Sequence, residues 1–224
     1  DNGYLWLNTA GIADFTPAIR EQAIAAIKNF RTGPLFTPPS LVGTIVRPGS
    51  VGGANWGGAA VDPETGMLYV PSRNGFSVST LAAPDPTLES NLQFMQVPGR
   101  SPRMPDGVPL FKPPYSRLTA IDMNTGKHLW AIPAGRGPVD HPAIKDLKLD
   151  RVGVPRQSHI ALTENVLFVA PEGTYGVPGV SARGNALVGQ ATKDEAEPFL
   201  YAHDSKTGTL VGEITPETLL EQNS

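Results

Sequence analysis

The five-residue pattern D-x-x-T-G occurs three times, as Asp62-Pro63-Glu64-Thr65-Gly66, Asp122-Met123-Asn124-Thr125-Gly126 and Asp204-Ser205-Lys206-Thr207-Gly208. Short runs of aliphatic, β-branched and aromatic residues flank each copy. The Asp and Thr side chains can bond the backbone of so short a turn, and the Gly supplies a positive φ. Each copy therefore reads as a tight connection between two antiparallel strands, and three copies read as one β unit repeated. With 24 glycines and 23 prolines, which interrupt helices and punctuate turns, the chain is expected to be mostly β.

Strands are predicted over residues 59–62, 67–72, 117–122 and 128–133, and again over 158–163, 166–171, 199–204 and 209–214. Two sets of four antiparallel strands suggest blades of a β-propeller, with a β-sandwich as the competing arrangement. One amphipathic helix is predicted over about 17–31. Thr16 suits the N-cap, Pro17 the first helical position and Gly33 the stop, while Ile19, Ala23, Ile27 and Phe30 recur at helical spacing. The expected organisation is an all-β propeller fragment of about two complete blades plus a partial one. Residues 1–54 form the partial preceding blade with its helical insertion. Residues 55–133 form a blade carrying a long insertion at 73–116, and 134–157 an inter-blade loop. Residues 158–214 form a second blade with an insertion at 172–198, and 215–224 a tail. Each propeller blade buries its faces against neighbours, so two blades do not close a ring. The chain also opens mid-strand, at Asp1-Asn2-Gly3-Tyr4-Leu5-Trp6. A fragment or a processed product of a longer polypeptide is the expectation.

The 18 basic and 21 acidic residues leave a formal charge of -3, which offers no electrostatic footprint for nucleic acid. The absence of cysteine excludes disulfides and thiolate metal sites. No apolar run approaches the ~20 residues that cross a bilayer as a helix, and no signal sequence opens the chain.

Just before the first of the predicted strands lies Gly52-Gly53-Ala54-Asn55-Trp56-Gly57-Gly58. Glycines let a backbone approach a flat ligand closely, which frees the Asn55 amide and the Trp56 indole to meet it. The alternatives are a turn Asn between glycines and a blade-core tryptophan. Trp130 and Trp6 read as structural aromatics of the repeat, and the repeated Asp62, Asp122 and Asp204 as turn residues rather than acids of a reaction. His159, alone at a strand entrance, reads as a structural or surface group. His128, His141 and His203 share no metal-ligand spacing. The predicted helix reads as a packed surface insertion.

The segment 52–72, taken with Leu118-Thr119-Ala120-Ile121-Asp122-Met123-Asn124-Thr125-Gly126-Lys127-His128-Leu129-Trp130, resembles the pyrroloquinoline quinone (PQQ) dependent dehydrogenases, in particular the glucose dehydrogenase-like quinoproteins. Asp14-Phe15-Thr16-Pro17 and Gly33-Pro34-Leu35-Phe36-Thr37-Pro38-Pro39-Ser40 are similar to that group as well. The A-x-D-x-x-T-G-x-x-x-W repeat is shared with non-catalytic propellers, and the G-G-x-N-W block is the more specific part. The resemblance implies an eight-bladed propeller in the periplasm that oxidises a sugar or alcohol and passes electrons to a quinone or cytochrome. It implies PQQ near the propeller axis, with calcium or another divalent ion against the cofactor's quinone edge. It places Asn55 in contact with PQQ, with Trp56 beside it. The family's catalytic aspartate and metal ligands come from blades preceding this block, and no residue here inherits them. The expectation is therefore no catalytic residue and no metal ligand in this chain. The ring would be completed by preceding sequence or by another chain, and this piece alone would be inactive. The rival function is a non-catalytic propeller used as a scaffold or assembly module, with a truncated product that neither binds nor catalyses as a third reading.

Overall fold

Among the described residues, helix α1 (Pro17–Ile27) precedes eleven strands: β1 (Thr44–Val46), β2 (Ala60–Asp62), β3 (Met67–Arg73), β4 (Ser77–Ala82), β5 (Met95–Pro98), β6 (Ser116–Asp122), β7 (Lys127–Pro133), β8 (Ser158–Leu162), β9 (Val166–Pro171), β10 (Leu200–Asp204) and β11 (Leu210–Ile214). This computed structural model describes residues 11–215, apart from Val51, Trp56, Leu88, Asp106 and 173–199, together with Thr218. Trp6, nearly all of the predicted insertion at 172–198 and most of the predicted tail lie outside the described residues. The strands form three antiparallel sheets, ordered β2-β3-β6-β7, β11-β10-β9-β8 and β1-β4-β5. The architecture is mostly β, with one α-helix among the described residues, as the repeated turn implies for a propeller fragment.

The chain divides into two units, residues 52–75 with 113–224, and residues 1–51 with 76–112. The first unit holds both four-stranded sheets. In each, a D-x-x-T-G turn joins two neighbouring strands: 62–66 between β2 and β3, 122–126 between β6 and β7, and 204–208 between β10 and β11. The resemblance between the sheets extends to an irregularity. The β6–β7 register slips between Ala120 and Ile121, and the β10–β11 register between Ala202 and His203, each two residues before the turn aspartate. The slips pass over Leu129 and Val211, which are exposed.

Alternation puts Tyr69, Pro71 and Arg73 of β3 on one buried face. Tyr69 joins Leu118 and Ala120 of the first sheet, Ala134 just after β7, and Leu167, Val169 and Tyr201 of the second sheet in one apolar core. Trp130, partly buried against that core, reaches across to the second sheet. Its indole Nε1 donates to the Lys206 carbonyl at 3.0 Å, and its ring lies 5.9 Å from that of Tyr69. The ring also covers Gly208, where an added Cβ would sit 2.9 Å from Trp130 Cε3, so the turn glycine makes room for the tryptophan. In the second sheet the position eight residues past the turn aspartate is Gly212, with nothing within 4 Å of a Cβ built there.

The other unit departs from expectation in two places. The helix stops at Ile27 rather than near residue 31. Phe30 donates to the Ile27 carbonyl, and Arg31 is drawn into a parallel bridge, donating to Gly43 and accepting from Ile45 at 2.9 Å each. Tertiary pairing here overrides local helix preference. At the other end Thr16 caps as expected, its hydroxyl accepting from the Ile19 amide at 3.2 Å. The predicted 73–116 insertion is also not plain loop. It supplies β4 and β5, which pair with each other and with β1. Within this unit Arg47 stacks over Phe111 at 4.4 Å, and burial lowers its guanidinium to about 10.

Candidate functional site

The two ends of the paired sheets differ in chemistry. At the turn end, Asp62 accepts from the Glu64 amide at 3.0 Å and the Thr65 hydroxyl at 2.6 Å. Asp122 repeats this with Asn124 and Thr125 at 2.8 and 2.7 Å, and Asp204 with the Lys206 amide and with Thr207. The threonine hydroxyl, followed by the turn amides, holds each carboxyl below the usual carboxylate range. Gly66, Gly126 and Gly208 complete the turns at φ near +70° (73, 70 and 74). These aspartates are turn residues with their acceptors already engaged, as their repetition suggested.

The opposite end carries residues 52–58. Asn55 is exposed there and closes a turn, its carbonyl accepting from Gly58 at 3.2 Å. Two features hold the segment against the sheets. Arg73, the last residue of β3, donates its amide to the Gly53 carbonyl at 2.9 Å and its Nε to the Gly52 carbonyl at 3.4 Å. Gly57 meets the first residue of β8 so closely that a methyl on it would overlap the Ser158 carbonyl oxygen. Glycine at 57 is thus required by close approach, and it brings the segment to the seam between β3 and β8. Trp56 lies outside the described residues.

Around this seam are groups that the sequence alone did not single out. Arg73 is 7% exposed; burial lowers its guanidinium from the ordinary value, while Glu172 pulls it back up. Arg156 is shifted by the same pair of causes and donates Nη1 to the Glu172 carbonyl at 3.3 Å. The Glu172 amide donates to Gln157 at 2.7 Å, and its carboxylate lies 3.3 Å from His159 Nε2, both side chains being largely exposed. The Ser158 hydroxyl is buried with no hydrogen-bond partner. Period-two alternation carried a readable signal for Arg73, since a strand whose inward positions are Tyr69 and Pro71 puts an arginine on the buried face. Nothing local marks Arg156 or Glu172, which meet only because β8 and β9 pair.

The predicted histidines fall apart from one another. His159 faces Glu172, and His203 is buried with Nδ1 2.9 Å from the Gly208 carbonyl. His141 lies in a loop, where its Nδ1 accepts from the Ala143 amide, and His128 is on β7. Among the described residues, no three His, Cys, Asp or Glu side chains gather to hold a metal ion. Nor is any helix among them long and apolar enough to cross a membrane. Exposed Asn55, the glycine-framed backbone and the guanidiniums of Arg73 and Arg156 thus lie at the same end of the paired sheets.

The family described as "PQQ: Glucose/ethanol/alcohol dehydrogenase, beta-propeller domain" matches residues 6–219. A "Probable quinate dehydrogenase (quinone)" of Xanthomonas campestris pv. juglandis is 31% identical over 127 residues, covering 49% of this chain and 16% of that protein. "Quinoprotein glucose dehydrogenase A" of Acinetobacter calcoaceticus is 28% identical over 150 residues, covering 60% of this chain and 19% of its own length. The "Glycerol dehydrogenase large subunit" of Gluconobacter oxydans (strain 621H) is 27% identical over 197 residues, covering 74% of this chain and 26% of that subunit. The aligned segments thus span between about a sixth and a quarter of these relatives.

Proposed function

Because the chain belongs to the family of PQQ-dependent dehydrogenases, we propose that it forms part of the PQQ site and propeller framework of an enzyme oxidising the CH–OH group of a sugar, glucose-like, or of an alcohol. The observation that carries this reading is Asn55, exposed on a glycine-framed turn that is held from below by Arg73 and by the contact of Gly57 with β8. When bound, PQQ supplies the two-electron acceptor of such an oxidation.

This chain's own residues bind and orient. The Asn55 amide would hold PQQ by donating to one of its quinone or carboxylate oxygens, and a donor so placed would favour negative charge there. Trp56, next along the chain, would be the second cofactor contact. The substrate's proton acceptor and the ligands of a divalent ion such as calcium come from outside these residues. Residues 55–133 and 158–214 act as two blades joined by 134–157, with 1–54 belonging to a blade before them. Preceding sequence or another chain completes the ring, and this portion alone is inactive. The complete protein works in the periplasm and passes electrons to a quinone or cytochrome.

The test uses the intact polypeptide. Asn55→Ala should weaken PQQ binding about three- to tenfold, the effect of losing one neutral hydrogen bond. PQQ titration and dye-linked turnover with glucose and with a simple alcohol read the effect, while thermal unfolding stays unchanged. If Asn55→Ala matched the unmodified protein in both assays, Asn55 would be a turn residue only, and the scaffold reading would replace this one.

A further inference from the structure

We propose that the outer edge of strand β5 is a self-association surface, on which a second copy of this chain pairs its own β5 antiparallel about a twofold axis at Gln96. The proposal stands apart from the reading of residues 52–58, since β5 belongs to the other unit.

Register within the β1-β4-β5 sheet sets which backbone groups are free. Leu81 donates its amide to the Ser40 carbonyl at 3.0 Å, on the side of β4 away from β5. Backbone groups of an antiparallel strand alternate between its two sides. Thr80 and Ala82 therefore turn toward β5, where they pair with Val97 and Met95. Gln96, between those two, turns its amide and carbonyl outward, as does Phe94 just before the strand. Pro98 turns out a carbonyl and has no amide to offer. Among the described residues no strand takes up this edge. The opposite edge of the sheet is covered, because Arg31 bridges to Thr44 of β1. An uncovered edge is a template for another strand. Apolar surface is uncovered here as well, with Phe94 51% and Leu92 58% exposed.

Charge around Gln96 says which strand fits. Glu89 and Arg103 stand seven residues to either side of it, and Arg100 four residues after it. All three are exposed, and none makes an ion pair among the described residues. An antiparallel mate of the same sequence reverses the order, so the acidic flank of each strand meets the basic flank of the other, twice over by symmetry. A parallel mate would set like charges side by side. With Gln96 facing Gln96, the two glutamines exchange amide-to-carbonyl bonds, and each Phe94 amide donates to the Pro98 carbonyl of the other copy. The missing Pro98 amide falls at the end of this ladder, where water reaches the carbonyl it leaves over. A short edge strand ending in proline is also a common way of blunting an edge. Blunting alone does not explain the exposed Phe94 or the mirrored charges.

Sedimentation velocity of the intact polypeptide over a concentration series tests the association. The unmodified protein is expected to pass from monomer to dimer, with no larger species, because a twofold pairing closes on itself. Gln96→Pro removes the outward amide at the axis and spares the bonds to β4, which run through Met95 and Val97. It should abolish the dimer. Glu89→Arg should weaken the dimer about tenfold, as two surface ion pairs turn into repulsions. Combining Glu89→Arg with Arg103→Glu swaps the charges and should restore it. The control Leu129→Ser, at an exposed apolar position on β7 in the other unit, should leave the dimer intact. A protein that stays monomeric at every concentration would overturn the proposal. So would a dimer indifferent to Gln96→Pro, or a Glu89→Arg defect that the charge swap does not repair. Glu89 and Arg103 lie outside the strands, so the charge variants decide the outcome even if thermal unfolding shows that Gln96→Pro does not fold.

Discussion

The turn end of the paired sheets and the end carrying Asn55 are built from the same strands, yet they use polar groups in opposite ways. At the turn end, three aspartates spend their acceptors on neighbouring amides and threonine hydroxyls, all of them at the surface. At the other end, an arginine and a serine are buried with donors left over, and a glycine is pressed onto a carbonyl oxygen. The turn carboxylates are satisfied within the repeat, while His203 beside the third turn keeps its Nε2 buried with no hydrogen-bond partner among the described residues. Where the repeat breaks, Arg73 and Ser158 keep donors unspent among the described residues, and on the proposed reading this end faces a ligand.

The sharpest way to break this contrast is to show that the turn end, too, depends on something outside itself. Trp130 joins the two sheets there through its bond to Lys206 and its cover over Gly208. Trp130→Ala should destabilise by about 3 kcal/mol, the low end for truncating a core tryptophan because this ring keeps some exposure. Denaturant unfolding checks it, and a loss under ~1 kcal/mol would mean that the sheets are held together elsewhere.

Next in size is the close contact at the other end. Gly57→Ala should cost ~1–3 kcal/mol, since the added methyl forces the 52–58 turn off the Ser158 carbonyl. PQQ affinity in the intact polypeptide should fall with it, whereas Trp130→Ala should lower stability with less effect on affinity per unit of stability lost. Equal affinity losses in the two variants would erase the distinction between the ends.

A smaller effect concerns pH. Burial, the largest cause, lowers the His203 imidazole below its ordinary value, aided by Arg151 and opposed by the bond to the Gly208 carbonyl. In the window between its folded and unfolded values the unfolded chain binds more protons. The stability contributed by neutral His203 is therefore present above the unfolded value and lost as pH falls through that window. The unfolding midpoint should drop as pH falls below the ordinary imidazole value of about 6.5, and His203→Asn should flatten that slope. An unchanged slope would assign the titration to another group.

The smallest effect belongs to the turn aspartates. With folded values depressed, they contribute stability above the unfolded carboxylate range and lose it as pH falls through the folded value. Asp122→Asn should therefore be slightly less stable than the unmodified protein at neutral pH and converge with it in acid. A deficit that persisted in acid would point to turn geometry rather than charge.

Much of this protein was legible before any coordinates. The D-x-x-T-G copies announced antiparallel pairs, and eight strands were found within a residue or so of their predicted bounds, because hydrophobic alternation and turn chemistry are local properties. Helix α1 was legible at its start, where Thr16 acts within three residues, and not at its end, where Arg31 is taken by a strand thirteen residues further on. Strands β4 and β5 were missed because their pairing with β1 is non-local and their neighbourhood is rich in proline and glycine. The glycine-framed Asn55 stood out in sequence as a candidate ligand contact. What lies beneath it did not: Arg73, Arg156, Ser158 and Glu172 are spread over a hundred residues and meet only when β3, β8 and β9 are packed. Sequence by itself determined the repeat, its turns and the exposed asparagine, all set by neighbours along the chain. Tertiary structure alone decided which cations lose their water, because burial depends on what folds over a residue from elsewhere.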